Sequence, residues 1–95
     1  MKIALIQTTL AWENPTENRS HLLQKITGFM EDVDLIILPE MFSSGFTMNP
    51  KTVAETIDGE TVAWLQHLAK AKNCAITGSL VVEEKGKFYN RLVFV

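Results

Sequence analysis

Apolar residues fall in short blocks along the chain, and the spacing within the blocks changes from one to the next. Ile3-Ala4-Leu5-Ile6 is an unbroken apolar run and predicts a buried first strand ending near Gln7-Thr8-Thr9. A helical period follows, with Leu22, Ile26, Phe29 and Met30 in register behind Asn14-Pro15-Thr16-Glu17. Asn14 can cap this helix, Pro15 suits its first position, and Glu17 stands where a capping box needs it. The helix should stop between Gly28 and Asp32. Asp34 to Leu38 predicts a second strand. Its core, Leu35-Ile36-Ile37-Leu38, shows no alternation, as expected of a strand buried on both faces of a parallel sheet. Pro39 has no N–H for the ladder and ends it.

A second helical face, Val62, Leu65, Leu68 and Ala69 with the stem of Lys72 at its edge, follows Asp58-Gly59-Glu60-Thr61. Asp58 is the expected cap, and Glu60 suits the helix dipole. Trp64 and His67 fall off this face and are expected to be partly buried against loops. Cys74 to Val81 predicts a third strand, Glu83 to Lys87 a turn pivoting on Gly86, and Phe88 to Val95 a fourth strand returning as a hairpin. The order β-α-β-α-β-β implies an α/β fold with a mixed sheet, three parallel strands plus an antiparallel hairpin strand.

Composition narrows the partners. Ninety-five residues suffice for one small domain, and 46% hydrophobic against 21% charged residues permits a packed core. A net charge of −2 without any run of basic residues argues against a nucleic-acid or anionic-membrane partner. One cysteine excludes an intrachain disulfide and any Cys-pair metal motif. No apolar run reaches the ~18 residues of a membrane span, and the amino-terminal block is too short for a signal-peptide core. A soluble cytoplasmic protein is the expectation. The five glycines are isolated, so there is no phosphate-binding loop. His21 has no partner nearby in sequence and is expected to be a surface or packed histidine.

Candidate chemistry gathers in the connection between the second strand and the second helix. Connections beyond ~12 residues are uncommon in compact domains and often functional, and this one runs from Pro39 to about Asp58. It opens on Glu40, a carboxylate at the carboxyl end of a central strand, where α/β sheets bind ligands. The residues alone leave Glu40 as either a solvated loop acid or a site residue. Phe42 and Phe46 either wall a pocket or pack the loop onto the sheet.

The stretch Leu38-Pro39-Glu40-Met41-Phe42-Ser43-Ser44-Gly45-Phe46 resembles the first catalytic segment of the nitrilase superfamily of carbon–nitrogen hydrolases. It is most similar to the omega-amidase branch, which acts on 2-oxoglutaramate and related ω-amides. The resemblance runs from Met1 to Val95 and covers the amino-terminal part of a longer enzyme. Residues 1–95 are therefore expected to be the amino-terminal part of a single carbon–nitrogen hydrolase domain, an αββα sandwich. The implied reaction is hydrolysis of a small ω-amide through a thioester, with release of ammonia, no cofactor and no metal. A cysteine attacks, a glutamate serves as general base and acid, and a lysine stabilises the oxyanion. Family members are usually homodimers or larger.

Only Glu40 maps onto that catalytic set, as general base; the family's lysine and cysteine lie downstream. Its neighbours Leu38, Met41, Phe42 and Phe46 promise the apolar surroundings that suit a general base. Phe42 and Phe46 are the candidate substrate-binding residues. Cys74 begins a strand directly after a helix, unlike the family's nucleophile, and is read as a buried structural thiol. Lys85 and Lys87 are read as solubilising turn residues, and Asn90 as a structural hydrogen-bonding residue at a position where the family commonly has Asn. The apolar ending Leu92-Val93-Phe94-Val95 reads as a cut rather than a natural terminus. The alternative is a small flavodoxin-like α/β binding or interaction domain in which Glu40 is only a loop acid.

Overall fold

The computed structural model describes residues 1–29 and 31–95. Two crossovers and a hairpin give β1 (Ile3–Leu5), α1 (Pro15–Gly28), β2 (Leu35–Ile37), α2 (Glu60–Lys72), β3 (Ala75–Glu84) and β4 (Lys87–Phe94). The strands stand in sequence order across one sheet. Ile3 pairs with Leu35 and Leu35 with Ala75 in parallel, whereas β4 runs antiparallel to β3 from Glu84↔Lys87 to Thr77↔Phe94. This is the mixed α/β sheet that the hydrophobic pattern predicts.

Strands that step one way across a sheet carry right-handed crossovers on one face. Leu22 and Ile26 of α1 and Val62, Leu65 and Leu68 of α2 accordingly share a core with Ile36, Ile76, Leu80, Val82 and Val93. Met30, placed on the α1 stripe by its spacing, lies outside the described residues.

The other face of the sheet is largely bare. Leu5, Ile37, Thr77 and Phe94 form a row across all four strands. Exposure reaches 53% at Ile3, 62% at Leu5, 71% at Leu92 and 70% at Phe94. Among the described residues only the far end of this face is covered, where Met41 and Val53 from the long connection pack against Val81 and Phe88. That connection is more ordered than its composition suggests: it contains a 3₁₀ turn at Pro50–Thr52, and Glu55 bridges to Val82 on the free edge of β3.

Local chemistry explains the element ends. Asn14 Oδ1 accepts the Glu17 N–H at 3.1 Å, as expected of the cap. The box closes differently, however, because Glu17 Oε2 meets the Asn14 side-chain amide at 3.1 Å. Asp58 does not cap α2. Its N-cap is Gly59, which has no side chain to offer, and Glu55 takes over: Oε1 accepts the Thr61 N–H at 2.8 Å and Oε2 accepts the Thr61 hydroxyl. Arg19 of α1 completes the knot, donating to Thr61 Oγ1 at 2.8 Å and pairing with Glu60 at 3.2 Å. β3 extends to Glu84, beyond the expected Val81. A two-residue turn then reverses the chain, with φ of 52° at Lys85 and 77° at Gly86. Positive φ at both central residues marks the type I′ turn, which matches strand twist and favours Gly at its second position.

Candidate active site

β2 delivers Glu40 to the carboxyl edge of the sheet. The Leu38 N–H makes a last ladder bond to Thr77 O at 2.8 Å, and the chain leaves the sheet at Pro39. A tight turn follows in which Met41 has a φ of 54°. That left-handed conformation is uncommon for a residue with a side chain and persists only where the surroundings impose it. Ser79 of β3 imposes it here: its Oγ accepts the Met41 N–H at 2.9 Å and its carbonyl accepts the Phe42 N–H at 3.0 Å. Phe42 then drops into the helix-side core, fully buried against Gly78.

A second set of bonds ties this turn to the loop after β1. Asn18 of α1, 1% exposed, accepts the Ala11 N–H at 2.7 Å and donates to Ala11 O at 2.8 Å and Ser43 O at 2.9 Å. The Glu13 N–H reaches Ser44 O at 2.9 Å, and the Glu13 carboxylate accepts the Thr47 hydroxyl at 2.6 Å. In the sequence Asn18 is an oddity, a polar residue four before Leu22 and eight before Ile26 on the buried stripe, and only these distant carbonyls give it a role.

A cavity of about 300 Å³ opens beside Glu40. Its lining comes from three strands and the Glu40 turn: Ile37 and Leu38, Thr77, Gly78 and Ser79, then Asn90 and Leu92. Asn90 Nδ2 donates to Glu40 Oε2 at 3.0 Å, so the hydrogen bond expected of Asn90 falls on the carboxylate itself.

Other candidates are placed apart from this group. Phe42 and Phe46 do not line the cavity; Phe42 is a core residue, and Phe46, 65% exposed, stands on the connection. The apolar walls are instead Ile37, Leu38 and Leu92. Glu40 itself is solvent-exposed, because Met41 and Phe42 turn inward rather than enclosing it. Cys74 is half-buried at the opposite edge of the sheet. Asp34, whose carbonyl accepts the Ala75 N–H, is four steps before Leu38, about 13 Å at ~3.3 Å per residue. Burial pushes the Cys74 thiol pKa up, against the opposing pull of the Lys72 charge. Lys85, Lys87, His21 and His67 are exposed, and Trp64 packs half-buried against the core. Among the described residues no helix is long and apolar enough to cross a membrane.

Comparison with known proteins places this geometry. A carbon–nitrogen hydrolase family model matches residues 2–95. The omega-amidase YafV of Escherichia coli is 33% identical over 95 residues, covering 100% of this chain and 36% of that protein. An (R)-stereoselective amidase of a Pseudomonas species is 31% identical over 97 residues, covering 100% of this chain and 35% of its own. The crystal structure of XC1258 from Xanthomonas campestris, a CN-hydrolase superfamily protein with an arsenic adduct in its active site, superposes with a TM-score of 0.92. It is 36% identical, over 99% of this chain and 36% of that one. Crystal structures of an N-terminal amidase, 18% identical with a TM-score of 0.81, share the fold. The chain thus spans about a third of the length of the curated relatives it matches.

Proposed function

Because the chain belongs to the carbon–nitrogen hydrolase family, we propose that it supplies the general base, Glu40, of an enzyme that hydrolyses the terminal amide of a small ω-amide such as a 2-oxo-acid amide. One observation carries this reading above the others. The motif glutamate stands at the carboxyl end of β2, exposed to a cavity and hydrogen-bonded by Asn90. A loop acid without function needs no strained residue behind it and no partner strand to hold its carboxylate, so the flavodoxin-like binding alternative has no comparable support.

The complete enzyme is a longer chain in this proposal. Its nucleophilic cysteine and its lysine come from other residues, as the family resemblance implies. A thiol near its usual pKa of ~8.5 is mostly protonated at neutral pH. Glu40 accepts that proton as the sulfur bonds to the amide carbon. The lysine balances the negative charge on the carbonyl oxygen in the tetrahedral intermediate. Glu40 returns the proton to the nitrogen as the carbon–nitrogen bond breaks, and ammonia leaves a thioester behind. Water, deprotonated by Glu40, then attacks the thioester carbon; the carbon–sulfur bond breaks, Glu40 passes the proton to the departing thiolate, and the carboxylic acid is released. No cofactor enters any step.

The bare face of the sheet supports a longer chain, since soluble monomers rarely expose large contiguous apolar patches. The remainder of the enzyme packs there and closes the cavity. Residues 1–95 alone have no activity in this scheme, and the complete enzyme is a cytoplasmic homodimer or larger assembly. The test is ammonia release by the complete enzyme from a series of small ω-amides, with and without a 2-oxo group. Turnover of small ω-amides is expected; its absence across the series, with nitriles or ureas hydrolysed instead, would overturn the substrate class.

A further inference from the structure

We propose that Asn90 is a positioning residue for Glu40, holding one carboxylate oxygen so that the other faces the reacting atoms; this rests on the reading of Glu40 as general base. Glu40 comes from the end of β2, but its carboxylate is held from β4, on the far side of β3. Asn90 Nδ2 donates to Oε2 at 3.0 Å across 50 residues of sequence. Ser79, on the strand between them, fixes the backbone of the same turn through Met41 and Phe42. One strand therefore holds the main chain and the next holds the charge.

The hairpin register places Asn90 there. Asn90 pairs with Val81 and Leu92 with Ser79, and alternate residues of a strand share a face. Asn90 and Leu92 consequently stand together on the face away from the helices. A slip of one residue would carry Asn90 to the helix side. The two-residue turn at Lys85-Gly86 fixes the pairing against such a slip.

The residue type fits the task. A carboxylate on an exposed, flexible side chain samples many orientations, and anchoring Oε2 leaves Oε1 as the proton acceptor. An amide can donate this hydrogen bond but cannot itself take the proton, so it positions the base without competing with it.

The experiment measures kcat and KM of the complete enzyme for an ω-amide that it turns over. The variants are Asn90→Ala and Asn90→Asp, each in the native and the Glu40→Gln background, with folding checked by circular dichroism. Asn90→Ala is expected to lower kcat about two- to tenfold with little change in KM, the size of one hydrogen bond. Asn90→Asp should be worse, because it keeps the size but replaces the donor with a like charge. Neither change should lower kcat further once Glu40→Gln has removed the base. Three results would overturn the inference: Asn90→Asp matching the native enzyme, KM alone rising, or the same kcat factor appearing in the Glu40→Gln background. Full activity of a folded Glu40→Gln enzyme is a separate outcome and overturns the base assignment itself.

Discussion

Replacing Gly78 with alanine should strain the packing that aims Glu40. A Cβ at position 78 would stand 2.9 Å from Phe42 Cδ1, 3.0 Å from Leu38 Cβ and 3.2 Å from Phe42 Cε1. Carbon atoms sit comfortably at ~3.5–4.0 Å, so each neighbour must retreat by roughly 0.5–1 Å. Little room exists for that, because Phe42 is 0% and Leu38 4% exposed. Overpacking of a filled core costs about 1–3 kcal/mol. In a protein of 150–250 residues each kcal/mol lowers Tm by roughly 2–4 °C, giving an expected drop of roughly 2–12 °C in the complete enzyme. Leu38 and Phe42 stand two residues before and after Glu40, so kcat should fall with stability while KM changes less. Phe42→Leu in the alanine background removes the clashing edge, and the pair should be less harmful than the sum by about 1 kcal/mol. The assay is urea denaturation of the two single variants and the double variant. A Gly78→Ala protein within about 0.5 kcal/mol of native, or strict additivity with Phe42→Leu, would refute the steric reasoning.

Four further outcomes follow from the same structure. Glu55→Ala removes the acceptor that caps α2 and should cost about 0.5–2 kcal/mol, whereas Glu55→Gln, which keeps one oxygen for the Thr61 N–H, should cost less in the same denaturation series. Cys74→Ser should leave kcat of the complete enzyme intact with a loss of about 1 kcal/mol in stability, and loss of turnover in the folded variant would contradict this. A raised thiol pKa leaves less thiolate at a given pH, so Cys74 should alkylate with iodoacetamide more slowly than a free thiol at pH 8, and Lys72→Met should slow it further. Residues 1–95 expressed alone should self-associate in light scattering, and Leu5→Lys with Leu92→Lys should reduce that association; a native monomer at every concentration would contradict the role given to the bare face.

Much of this architecture was legible because period and punctuation agree. The apolar run at Leu35–Leu38 broken by Pro39, the Asn14-Pro15 start and the Gly86 turn each state one local preference, and the sheet obeys all of them. The misses come from contacts distant in sequence. Asp58 has the right chemistry for a cap at α2, but Glu55 reaches the Thr61 N–H from the bridged segment beside β3, which no local pattern reveals. Phe42 and Phe46 look alike in the motif and end in opposite environments, because Ser79 turns the chain between Glu40 and Phe42 inward. Asn90 was expected to hydrogen-bond within the structure, but its partner depends on a register set by a turn four residues earlier. Unbroken apolar strands predict burial on both faces; the helices satisfy one face, and the other is left to whatever packs upon it.

The central claim is that Glu40 moves the protons of amide hydrolysis. The most direct measurement is kcat/KM of the complete enzyme for an ω-amide, comparing native protein with Glu40→Gln, which keeps the size of the side chain and the oxygen that accepts from Asn90 but cannot take a proton. Equal circular dichroism and denaturation midpoints must show that both proteins are folded. The account predicts a fall of about 10²–10⁴ in rate. A folded Glu40→Gln enzyme that turns over the amide at close to the native rate would contradict it.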